Sequence, residues 1–124
     1  MGRLLVVDDE EYMREIMATV LLGAGFEVIK ARDGLEALEQ FQGPGEPISL
    51  IIMDIAMPRM DGLEATRRIK AINPATKVVL ISGNDRPPEN SVADGFLPKP
   101  FRIDELCEAV QSILSDTRPS PRVA

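Results

Sequence analysis

The chain has 124 residues, with 14 Lys plus Arg against 20 Asp plus Glu and a formal charge of −6, which fits one domain of ordinary size. At 44% hydrophobic residues it is too apolar for intrinsic disorder, and its negative field opposes direct contact with nucleic acid or an anionic membrane surface. With no His and a single Cys, Cys107, it excludes an internal disulfide, a thiolate-rich zinc site and histidine-based acid–base chemistry.

Apolar runs at 4–7, 27–30, 48–53, 77–81 and 96–97 predict five strands. Between the first two, Met13, Ile16, Met17, Val20 and Leu21 keep helical spacing. Gly23-Ala24-Gly25 then reads as a helix end, since it follows a helix and lacks the third glycine of a dinucleotide loop. Ala37, Leu38 and Phe41 mark a second helix after Asp33, and residues 63–72 a third between Asp61-Gly62 and Asn73-Pro74. Pro87 and Pro88 leave room for about one helical turn between the fourth and fifth strands, so a helix there is short or missing. The stripe Ile103, Leu106, Cys107, Val110, Ile113, Leu114 predicts the last helix, with Cys107 buried and inert and with Arg102 a weak cap. Residues 1–116 form the domain, and 117–124, with two Pro and two Arg, read as a flexible tail or the start of a linker. Every apolar run is far shorter than the roughly 20 residues of a membrane span, and there is no leader pattern, so a cytoplasmic setting is expected.

Strands alternating with helices, and apolar enough to be covered on both faces, imply a doubly wound parallel α/β sheet. Ligands of such sheets bind beyond the carboxyl ends of the strands, where strand order reverses. The polar residues at those ends are Asp8 and Asp9, Asp54, Ser82 and Lys99. Three carboxylates in one place repel unless protons or a divalent cation intervene, and oxygen ligands without His or Cys select a hard ion such as Mg²⁺. The group is suited to holding a phosphoryl group on Asp54, with Lys99 as a fixed positive charge and Ser82 as a donor.

In order and spacing, Val6-Val7-Asp8-Asp9-Glu10, the run from Ile52 through Asp54 to Asp61-Gly62, Leu80-Ile81-Ser82-Gly83 and Phe96-Leu97-Pro98-Lys99-Pro100-Phe101 resemble the receiver domain of two-component response regulators, over about residues 3–115. The resemblance implies a flavodoxin-like sheet of order 2-1-3-4-5. It implies Asp54 as phosphoacceptor, Asp9 as a direct Mg²⁺ ligand, Asp8 as a ligand through water, and the Ala56 backbone carbonyl as a further ligand. Ser82 would be the switch hydroxyl, Lys99 the phosphoryl partner and Phe96 the switch aromatic, and Lys99-Pro100 would be cis. The implied donor is a histidine kinase or histidine phosphotransfer protein; the output is an unidentified protein partner, and the state a monomer or a phosphorylation-dependent dimer.

Two departures stand out: the short segment from Asn84 to Ser91, expected to be flexible or remodelled, and the apolar Ala56, which cannot position a hydrolytic water through its side chain. Ala56 also disfavours a phosphohydrolase, which needs a second Asp there. Asp8-Asp9-Glu10-Glu11 disfavours the phosphate loop of a flavodoxin. A phosphorylation-independent adaptor on the same fold is the remaining alternative.

Overall fold

A computed structural model describes residues 2–116, so the expected tail at 117–124 lies outside the described residues. The elements run β1 (Arg3–Val7), α1 (Glu11–Gly23), β2 (Glu27–Ala31), α2 (Gly34–Phe41), β3 (Ile48–Asp54), α3 (Gly62–Ile72), β4 (Lys77–Ser82), β5 (Gly95–Pro98) and α4 (Ile103–Leu114). All four strand pairings are parallel, in the order β2-β1-β3-β4-β5. The chain leaves β1 toward β2 and returns to β3 on the other side, so strand order reverses at the carboxyl ends of β1 and β3.

Alternate residues of each strand face opposite cores. Leu4, Val6, Leu50, Ile52, Val79 and Ile81 pack with Met17 and Leu21 of α1 and Leu106 and Val110 of α4. Leu5, Val7, Ile51, Met53, Val78 and Leu80 pack with Ala37 and Leu38 of α2 and Ala65 and Ile69 of α3. Burial on both faces is why these strands read as unbroken apolar runs.

Among the described residues no helix joins β4 to β5. Residues 83–94 are irregular, with a turn at Glu89 and Asn90 where Asn90 adopts φ 60°. The second face is therefore covered by two helices and this segment, which leaves a cavity of about 350 Å³ lined in part by Leu80, Pro87, Pro88, Ala93 and Phe96. The segment is anchored at its end by Asp94. Its N–H donates to the Val78 carbonyl at 2.8 Å, and its carboxylate accepts from the Val78 N–H at 2.9 Å and from Lys70 Nζ at 2.7 Å.

Several local expectations are refined. Asp54 and Ser82 are the last residues of their strands, since they pair with Ile81 and Pro98. Cys107 is half-buried, because it lies beside the fully covered Leu106 at the flank of the stripe. Arg102 has no acceptor and makes no side-chain cap, yet its N–H donates to Glu105 Oε1 at 2.8 Å, which satisfies one end of α4. Lys99-Pro100 is cis.

Candidate phosphoacceptor site

Register brings the carboxylates together. Val7 pairs with Met53, so Asp8 leaves β1 directly beside Asp54 at the end of β3, one strand spacing away. Oxygens of Asp8, Asp9 and Asp54 all lie within 4.8 Å of one another, a grouping able to hold a metal ion. Asp8 is fully buried, Asp54 is 6% exposed and Asp9 is exposed. Asp8 is also committed: Oδ1 accepts from the Glu10 N–H at 2.9 Å, and Oδ2 from Lys99 Nζ at 3.1 Å. Arg14 Nη1 donates to the Asp8 carbonyl at 2.8 Å, tying the first turn of α1 to this corner.

Lys99 follows β5, where its N–H donates to the Ser82 carbonyl at 2.7 Å, and its side chain reaches back across β4 until Nζ is 3.6 Å from Asp54 Oδ1. Burial alone would lower the Lys99 ammonium. The hydrogen bond to Asp8 and the charges of Asp8, Asp54 and Glu10 outweigh it and raise its pKa, so the ammonium stays charged. For Asp54 the balance runs the other way. Burial and then the Asp8 charge push its pKa up to about 6, with Asp9 adding to them, against the pull of Lys99 and the Ile55 N–H.

Ser82 is buried, and its Oγ accepts from the Asn84 N–H at 3.1 Å, which leaves its O–H able to donate. Phe96 is half-buried, pairs with Leu80 and lines the cavity beneath residues 84–94. Ala56 is exposed, two residues past Asp54 in the loop between β3 and α3. The loop is pinned by Ile55 N–H to the Ile81 carbonyl at 3.1 Å and by Gly62 N–H to the Ile55 carbonyl at 2.8 Å.

Gly62 does more than start a helix after the Asp61 cap. A Cβ there would run into the Asp54 backbone carbonyl and lie 2.9 Å from Met53 Cγ. Alanine in a helix is favoured over glycine by about 1 kcal/mol, but a backbone carbonyl cannot rotate out of the way. Gly62→Ala is therefore expected to destabilise by about 1 to 3 kcal/mol, read by urea unfolding; equal or greater stability would show that the loop yields freely.

The response regulator receiver domain family model matches residues 4–111. The chain belongs to that family. This receiver domain is 33% identical over 122 residues to the response regulator MprA of Mycobacterium avium, covering 94% of this chain and 53% of that protein. It thus spans about half the length of the curated relatives it matches. Among solved structures, the response regulator TrrA of Thermotoga maritima in complex with Mg²⁺-BeF is 36% identical with a TM-score of 0.82, covering 91% of this chain and 99% of that one. A chain of the complex between the histidine kinase ThkA and TrrA is 37% identical with a TM-score of 0.83, covering 93% and 100%. The receiver domain is a regulatory module of two-component signalling. No helix among its described residues is long and apolar enough to cross a membrane.

The five polar residues at the sheet edge are legible in the sequence, whereas the groups that support them are not. Arg14 was legible only as a polar residue in the first turns of α1. Glu10 contributes through its backbone, which a residue type does not announce. Asp33 and Arg59, 26 residues apart in sequence, join the start of α2 to the loop before α3.

Proposed function

We propose that this domain accepts a phosphoryl group on Asp54 from a phosphohistidine of a histidine kinase or phosphotransfer protein, and that the change alters its binding surface for a downstream protein. The observation that carries the reading is the convergence of three carboxylates within 4.8 Å, with the Lys99 ammonium 3.1 Å from Asp8 and 3.6 Å from Asp54. The donor set is all oxygen in a chain with no His, which fits Mg²⁺. Asp9, Asp54 and the Ala56 carbonyl would hold the ion directly. Asp8, with both oxygens already accepting hydrogen bonds, suits a ligand acting through water.

Bound Mg²⁺ would supply positive charge that lets an anionic carboxylate approach an anionic phosphoryl group. An Asp54 oxygen forms the O–P bond while the P–N bond to the donor histidine breaks, and the imidazole nitrogen keeps the electron pair and takes up a proton. Lys99 stays charged and lies where it can pair with the added phosphoryl oxygens. The Ser82 O–H can donate to one of them while its Oγ accepts from Asn84. Phe96, on the neighbouring strand, is the aromatic placed to follow Ser82. Residues 1–116 constitute this module, a regulatory phosphoacceptor in the cytoplasm, monomeric or dimerising on phosphorylation.

Incubation with acetyl phosphate, followed by intact mass, tests the reading. One added phosphoryl group is expected in wild type with Mg²⁺, and none in Asp54→Asn or with the ion chelated. A folded wild type that gains no mass and binds no Mg²⁺ would overturn it in favour of a phosphorylation-independent adaptor.

A further inference from the structure

The loop between β3 and α3 carries an unusual turn away from the carboxylates. Arg59 adopts φ 67°, rare for a residue with a side chain, and the Met60 N–H donates to the Pro58 carbonyl at 2.7 Å. Positive φ with an i→i+2 bond marks the rarer, strained form of the γ-turn, a conformation that persists only where its surroundings over-determine it.

Two residues at the start of α2 supply that determination. Asp33, whose side chain is 4% exposed, accepts from Arg59 Nε through Oδ2 at 2.7 Å. Its other oxygen accepts from the Glu36 N–H at 2.9 Å and caps α2. Beside it, the Gly34 N–H donates to the Met60 carbonyl at 3.0 Å, and a Cβ on Gly34 would collide with that carbonyl. The loop is thus anchored at Ile55 and Gly62 near the sheet and at Arg59 and Met60 against α2, with Ala56 between the anchors.

We infer that Asp33 is a positioning residue for the divalent ion: through Arg59 and the strained turn it fixes the course of the loop that carries Ala56, whose carbonyl would join Asp9 and Asp54 in holding the ion. The inference rests on the metal-binding reading above. It assigns a function to a carboxylate on an element that contributes nothing directly to the acidic pocket. Helix capping alone would account for Asp33 Oδ1. It leaves unexplained why a second, nearly buried oxygen holds a half-exposed arginine whose backbone is strained.

Asparagine at 33 can still cap α2 but carries no charge for Arg59. Calorimetric titration with Mg²⁺ alone is expected to show Asp33→Asn and Arg59→Ala each weakened roughly tenfold, the lower end of the loss when an outer support is removed from a metal site. The double variant should be no weaker than either single one, and Arg59→Lys should recover part of the affinity. Loss of thermal stability with Mg²⁺ affinity within about twofold of wild type would reduce the pair to a structural tie and overturn the inference. Failure of wild type itself to bind Mg²⁺ would overturn both this inference and the reading beneath it.

Discussion

Asp94→Ala is expected to cost the fold about 3 to 5 kcal/mol, the range for breaking a buried ion pair from one side. Lys70 and Asp94 have side chains 7% and 5% exposed, with Nζ and Oδ2 2.7 Å apart. Removing the carboxylate leaves the Lys70 ammonium inside without that counter-charge, and takes the acceptor from the Val78 N–H at the start of β4. The consequence reaches further than one contact. With no helix between β4 and β5, Asp94 is what delivers the irregular segment to the edge strand, whose pairing with β4 runs over only four residues. Urea unfolding of Asp94→Ala should show a lowered midpoint. The double variant Lys70→Met with Asp94→Leu should recover part of the loss, since apolar replacement of both partners of an ion pair is often neutral, while the Val78 N–H still lacks the acceptor that Asp94 supplied. A single variant within about 1 kcal/mol of wild type would mean that this pair is screened and does not hold the edge.

How much of this was legible follows from what each feature depends on. Strands covered on both faces write themselves as apolar runs, and helices as stripes, so the five strands and the four helices could be placed without a structure. That a helix between β4 and β5 would be short or missing was also legible, because Pro87 and Pro88 leave room for only about one turn, and among the described residues there is none there. Convergence of Asp8, Asp9, Asp54, Ser82 and Lys99 followed from one rule about strand ends. By contrast, Lys70 to Asp94 and Asp33 to Arg59 are pairs 24 and 26 residues apart, made by helices packing across loops, and nothing in either local pattern names the partner. One clue was present. Lys70 falls four residues after Thr66 and one after Ile69, on the buried face of α3, where a charged group needs a counter-charge. Gly62 was legible as a helix start but not as a point of close approach, which only the folded loop reveals.

Asp54→Asn is expected to make the metal-free protein more stable at pH 8, by about 2 to 3 kcal/mol. The Asp54 carboxyl stands at about 6 in the folded chain against an ordinary value of 3.8, pushed up by burial and then by the Asp8 charge. The folded state therefore holds a proton that the unfolded state has already released, and stability falls as pH rises through this window. Above it, ionised Asp54 weighs fully against the fold, whereas below about pH 4 both states are protonated and the penalty vanishes. Asparagine removes the ionisation at nearly the same volume, so its advantage should be largest at pH 8, shrink through pH 6 and fade near pH 4. Urea unfolding in a chelator at these pH values measures it. Saturating Mg²⁺ should narrow the gap from the other side, because an ion that binds the folded wild type stabilises it by mass action while the asparagine variant has lost a ligand. A variant equal to or weaker than wild type at pH 8 in chelator would mean that Lys99, 3.6 Å away, already neutralises the site. In that case the carboxylate cluster carries no stored repulsion for a cation to relieve.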